Sequence, residues 1–172
     1  MTPKVLSLAI ISKHNSPLYV GNFSSRRGGD ADLKWHYVAH TTLDVFEERE
    51  AAGLKHNDGY LGFLFSMEDY AAYGYQTNTR LKLVVIIAVA DQLVKDTDIK
   101  AIFRGLHNAY ISYLSNPFAP PDIENPLAIG TPIRSRKFQL AISELAGFSD
   151  PATAPQAARP RDSTSSNLVE AA

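Results

Sequence analysis

The sequence predicts an α+β fold, an α/β sandwich. It has a five-stranded mixed sheet, element order ββαβββαα, one helix on one face and two on the other. Three observations carry that expectation. The first is the run LKLVVIIAVA at 81–90. A membrane-spanning helix needs about 20 apolar residues, and this run is ten long and contains Lys82. Val84, Val85, Ile86, Ile87 and Val89 are β-branched, which favours a strand. The second is a pair of long stretches, 33–52 and 96–115, whose apolar residues recur at the helical period. The third is turn chemistry between the apolar segments, as in HNSP, GLKHNDG and TNTR.

Taken in chain order, VLSLAII (5–11) is a continuously apolar strand, too short and too poorly followed to be a signal peptide. HNSP turns the chain and PLYVGNF continues as a second strand. SSRRGGDAD (24–32) is a polar, glycine-containing loop. A helix over 33–52 follows, with Asp30 or Asp32 as its cap. Trp35, Val38, Ala39, Thr42, Val45 and Phe46 share its core face, with Leu43 at the margin. YLGFLFSM and DYAAYGYQ are two strands around Glu68–Asp69, and the run beginning at Arg80 is the fifth. Asp96, Thr97 and Asp98 open a helix to about Ser115, striped by Ile99, Ile102, Phe103, Leu106, Tyr110, Tyr113 and Leu114. Pro117, Pro120 and Pro121 end it. The last helix, 135–146, has Phe138, Leu140, Ala141, Ile142 and Leu145 as its apolar set. The first and fifth strands should lie side by side at the centre, covered on both faces. The domain spans 1–148. Residues 149–172 shift to Pro, Ala, Ser and Thr and are expected to be a disordered tail.

Composition excludes several classes of function. The chain has 172 residues, enough for one domain with its own core. Its 17 basic and 18 acidic residues leave a net charge of −1, so no overall field draws it to nucleic acid or anionic lipid. With no cysteine there is no disulfide, thiol nucleophile or thiolate metal site. That composition fits the cytosol. Thr2 is not the glycine that myristoylation requires.

Motifs for catalysis are weak. His36 and His40 stand at i, i+4, a metal-ligand spacing. HYVAH lacks the glutamate of H-E-x-x-H, however, and no third ligand is suggested. Two surface or packing histidines is the better reading. RRGGD (26–30) lacks the glycine spacing and G-K-[ST] ending of a phosphate loop, and there is no G-x-S-x-G elbow. Glu47, Glu48 and Glu50 read as a solvated helix end. NPF (116–118) fits a helix stop with Phe118 turned into the core better than an exposed ligand motif. No catalytic residue, metal or cofactor is expected.

The first helix offers the more useful clue. Opposite its core face lie Leu33, Tyr37, His40, Thr41 and Asp44. A solvated face would carry Lys, Glu and Arg, whereas aromatic residues and depleted charge mark the centres of interfaces. These five residues are the candidate partner-binding set.

The segments ISKHNSPLYV, LKWHYVAHTTLDV, YLGFLFSMEDYAAYGYQTNTRLKLVVIIA, FRGLHNAYISYLSNPF and PIRSRKF occur in an order and wording that resemble a known family. They are similar to the sedlin-type small subunits of the TRAPP vesicle-tethering complex, over about 4–146. The YLG…EDY…YGY…TN and LHN-Y…NPF blocks favour a branch beside sedlin itself. The enlarged SSRRGGDA loop, the long APPDIENPLAIGTP segment, Gln139 and the end from Ser149 depart from the family pattern. The resemblance implies a longin-like fold and a non-catalytic adaptor that docks to other TRAPP subunits. It further implies indirect service to a Rab GTPase through nucleotide exchange by the whole complex, in ER-to-Golgi and intra-Golgi transport. The chain would then be cytoplasmic and held peripherally at Golgi and ER-Golgi membranes, with no membrane span and no nucleic acid. Leu43–Asp44 match the family's L-D step, which adds weight to Asp44. Two alternatives remain: a sedlin paralogue or other longin-domain trafficking adaptor, and a small-ligand or metal-binding enzyme using His36 and His40.

Overall fold

The computed structural model describes residues 3–25, 28–53, 58–89, 94–117 and 133–147. Eight elements appear in the expected order: β1 (Val5–Ile11), β2 (Pro17–Asn22), α1 (Asp30–Ala51), β3 (Tyr60–Ser66), β4 (Tyr70–Gln76), β5 (Lys82–Ala88), α2 (Asp96–Leu114) and α3 (Arg136–Leu145). The strands form one sheet in the order β2-β1-β5-β4-β3. The two apolar strands are therefore neighbours at the centre, as their sequences require.

The sheet is not mixed. All four pairings are antiparallel. The physical reason lies in the crossover. β2 and β3 run in the same direction, but α1 carries the chain from one edge of the sheet to the other. Three strands lie between them, so no parallel pair forms.

Residue alternation along the central strands divides the core in two. Leu8, Ile10, Leu83, Val85 and Ile87 point to the side of α2 and α3, where Ile99, Phe103, Leu106, Phe138 and Ile142 meet them. Ala9, Ile11, Val84 and Ile86 point the other way, against Trp35, Val38, Ala39, Leu43 and Phe46 of α1. One helix thus covers one face and two cover the other. Gly74 permits close approach on the α1 side. A Cβ there would sit 2.9 Å from Leu64 Cδ2 and 3.0 Å from Phe46 Cζ.

The opening of β5 explains its lysine. Lys82 is only 5% exposed, and its Nζ donates to Asn15 Oδ1 at 2.5 Å. Asn15, in the β1–β2 turn at φ 63°, passes the link on by donating to Glu47 Oε1 at 3.0 Å. A buried ammonium requires such an acceptor. The turn before β5 is closed by Thr77, whose Oγ1 accepts from the Leu81 amide at 3.0 Å.

Several local expectations are corrected. The N-cap of α1 is Gly29, at φ 50°, with no side-chain cap bond. Asp30 and Asp32 fall inside the first turn, where their charge suits the positive end of the helix dipole. Leu43 is buried and Val45 only half-buried, because the face in contact with the sheet is rotated slightly from the ideal stripe. Leu114, Leu140 and Ala141 are exposed, and Val89 lies beyond the end of β5 and is exposed too. Tyr110 and Tyr113 are half-buried. The expected inward turn of Phe118, the 119–132 segment and the tail from 149 lie outside the described residues, as do Arg26, Arg27 and His56.

Candidate functional site

The candidate site is the outward side of α1, and its rigidity comes from ties at both ends. Near the N-terminus, Trp35 Nε1 donates to Asn22 Oδ1 at 3.1 Å, and Asn22 Nδ2 donates to Asp32 Oδ1 at 2.5 Å. The Trp35 ring meets Tyr70 edge-on at 5.6 Å. Lys34 Nζ lies 5.1 Å from the centroids of both rings, in cation–π range. Burial, and then the nearby Asp69 carboxylate, push the Tyr70 hydroxyl above the usual phenol range. Near the C-terminus, the Arg49 guanidinium donates to the carbonyls of Leu61 and Phe63 on the edge strand β3. The bond from Asn15 to Glu47 adds a third tie.

A helix held this way presents a fixed outer surface. Leu33 is 67% exposed and Tyr37 74% exposed. His40 and Asp44 are exposed and Thr41 is half-buried. Successive spacings of 4, 3, 1 and 3 residues put all five on one stripe. Leu33, Tyr37 and His40 line a shallow concavity together with Asp30, Lys34 and His36. A smaller hollow beside it, between α1 and β2, is lined by Pro17, Val20, His36 and His40. Thr41 and Asp44 lie outside the lining of both, one turn further on. The Thr41 hydroxyl turns back to donate to the Tyr37 carbonyl at 3.1 Å. No hydrogen bond or ion pair joins Asp44 to another of the described residues.

Sequence reasoning missed Lys34 and His36 as parts of this surface. The signal was present, since both fall between the core and outer stripes, but only the position of β2 decides which flank becomes a hollow. Single exposed apolar residues are common. Leu33 and Tyr37 differ from them in being one turn apart and lining a concavity. Ile111 and Leu114, three residues apart on α2, are exposed as well.

The remaining sequence candidates separate clearly. His36 and His40 are close on the helix, yet among the described residues no three His, Cys, Asp or Glu side chains are grouped to hold a metal. Glu47, Glu48 and Glu50 are exposed. Glu50 lies 3.6 Å from Arg80, an exposed pair of the kind worth little to stability. Among the described residues no helix is long and apolar enough to cross a membrane.

Comparison with known proteins bears on the family of the chain. The family model described as Sedlin matches residues 10–147. A Dictyostelium discoideum protein is 35% identical over 143 residues, 83% of this chain and 96% of the relative. A Xenopus tropicalis protein is 36% identical and a Mus musculus protein 35% identical, each over 142 residues, 80% of this chain and 94% of the relative. All three are named trafficking protein particle complex subunit 2-like protein. A family match over most of the chain, and relatives of this identity spanned almost end to end, have one meaning: the chain belongs to the Sedlin family.

Proposed function

We propose that the chain is a non-catalytic subunit of a trafficking protein particle complex and that it docks to a neighbouring subunit through the outward face of α1. Leu33, Tyr37 and His40 form the apolar part of that contact, and Thr41 and Asp44 its polar margin. The observation that carries the proposal is the exposed Leu33–Tyr37 pair on a helix tied to the sheet at both ends. Full burial of a leucine-sized side chain contributes about 1.5–3 kcal/mol. Because the helix is already ordered, little of that is spent on arranging the surface. Asp44 has no ion pair among the described residues, so it is available to a donor on the partner.

In this reading the Rab nucleotide exchange belongs to the assembled complex and this chain supports assembly. Its place of action is the cytosolic side of Golgi and ER-Golgi membranes, reached through the complex. The names of the relatives support complex membership. The test is affinity purification of the tagged chain from its own cells, with mass-spectrometric identification of stoichiometric partners. Recovery of other subunits of the complex is the expected outcome. A chain recovered alone, with bound metal or small ligand, would favour a second reading, in which the hollow beside His36 and His40 is a ligand site.

A further inference from the structure

On the side of the sheet away from α1, α2 lies over β5 and leaves a cleft between itself and the outer strands. The cleft is lined by Tyr60 of β3, Tyr75 of β4, and Lys100, Arg104 and His107 of α2, with Asp58 at its mouth. The three α2 residues follow i, i+4, i+7 spacing, which aligns them on one helix face. The floor is firmly packed. Tyr75 stacks on Phe103 at 5.7 Å and lies 6.4 Å from the His107 ring. Tyr60 meets Phe103 edge-on at 6.0 Å, and its hydroxyl donates to Asp96 Oδ1 at 3.1 Å.

The charges in the cleft are unequal. Lys100 Nζ is 3.0 Å from Asp58 Oδ2 and 4.7 Å from the Tyr60 ring centroid. That contact gives Lys100 its partner and holds the Asp58 carboxyl below its usual range. Arg104 has no ion pair or hydrogen bond to any described residue, and the Tyr75 hydroxyl has no hydrogen bond to one. A guanidinium, a phenol and an imidazole therefore face the cleft without a partner carboxylate among the described residues, in a chain whose net charge is −1. Overall composition does not account for this local excess.

We propose that the cleft docks an acidic segment of a protein partner. A carboxylate pairs with the planar fork of Arg104, a geometry that guanidinium suits better than ammonium. An apolar side chain next to that carboxylate rests on the Tyr75 and His107 rings. A membrane surface fits the shape poorly, because a cleft admits a protruding segment and not a plane. Lys100 and Arg104 also fall short of the cluster of about four to eight basic residues that anionic membranes attract. The proposal goes beyond the docking face on α1, since the cleft lies on the opposite side of the sheet and uses different chemistry.

The test titrates the purified full chain with short fluorescein-labelled peptides of alternating glutamate and leucine, and with matched peptides carrying glutamine for glutamate. Binding of the glutamate peptide should saturate. It should weaken roughly tenfold or more with Arg104→Gln, and further with Arg104→Glu, as expected for loss of a charge-assisted bidentate pair. The glutamine peptide should bind as weakly, and Lys13→Gln, which removes an exposed charge in the β1–β2 turn away from the cleft, should change nothing. Arg104 is exposed, so its variants should keep the wild-type melting temperature. No saturable binding of the glutamate peptide, or binding indifferent to Arg104, would overturn the proposal. So would Arg104-dependent sedimentation with phosphatidylserine-rich vesicles in place of peptide binding. The titration contains no other subunit, so its failure leaves the subunit proposal standing, and the reverse also holds.

Discussion

The two long helices bury their inner faces alike and differ on the outside. α1 seats Trp35, Val38, Ala39, Leu43 and Phe46 on one side of the sheet, and α2 seats Ile99, Ile102, Phe103 and Leu106 on the other. Outward, α1 shows Leu33 and Tyr37, while α2 shows Lys100 and Arg104 beside two tyrosines. The inner faces answer to the sheet, which asks the same of both: apolar side chains at helical spacing. The outer faces are under no such demand from the sheet. Their difference is where the docking role proposed for this chain is to be sought.

The largest effects should come from the inner faces and be equal on the two sides. Phe46 and Phe103 are each 1% exposed. Replacing either with alanine should cost about 3–5 kcal/mol in urea unfolding, through lost transfer energy and the cavity left behind. A cost below about 1 kcal/mol on one side only would break the symmetry, because it would mean that one layer is loosely seated. Gly74→Ala should come next, at about 1–3 kcal/mol, since the added methyl forces Leu64 and Phe46 aside.

A smaller effect is expected where the α1 side meets the β1–β2 turn. Asn15→Gly keeps the positive φ but removes the acceptor for buried Lys82. It should lower stability by about 1–3 kcal/mol, the cost of stranding a buried donor. Adding Lys82→Met should recover most of that loss, because an apolar chain of similar size needs no acceptor. If the double variant is no more stable than Asn15→Gly, the Lys82–Asn15 bond is not what the asparagine contributes. Outer-face substitutions should come last. Leu33→Ser and Tyr37→Ser should each stay within about 0.5 kcal/mol of wild type in the same unfolding assay.

What the sequence disclosed follows the same division. The β-branched run ending in Ile87 announced a buried central strand, and the helical stripes announced which faces meet the sheet. Antiparallel pairing throughout was not legible, because direction depends on how many strands α1 crosses, not on any residue. Gly29 as the cap was missed because side-chain preference pointed to Asp30 and Asp32, whereas backbone freedom at a positive φ decided the position. The exposure of Leu114 was missed because its stripe runs past the end of the surface that covers it, and that of Leu140 because it lies on the far side of α3 from Phe138, Ile142 and Leu145. On α1, the outward placement of Leu33, Tyr37 and His40 was legible from spacing alone. The hollow beside them needed β2. The cleft under α2 was not legible at all, since Tyr60, Tyr75 and Arg104 meet only when the sheet and helix are assembled.

The most direct measurement compares the tagged wild-type chain with Asp44→Tyr, scoring partner recovery by mass spectrometry and melting temperature on the purified proteins. Asp44 is exposed and has no ion pair among the described residues. The expected result is a melting temperature close to wild type with a marked loss of recovered complex subunits. A much lower melting temperature with normal recovery by the surviving fold would contradict it, and would make Asp44 a structural residue on a face that no partner uses.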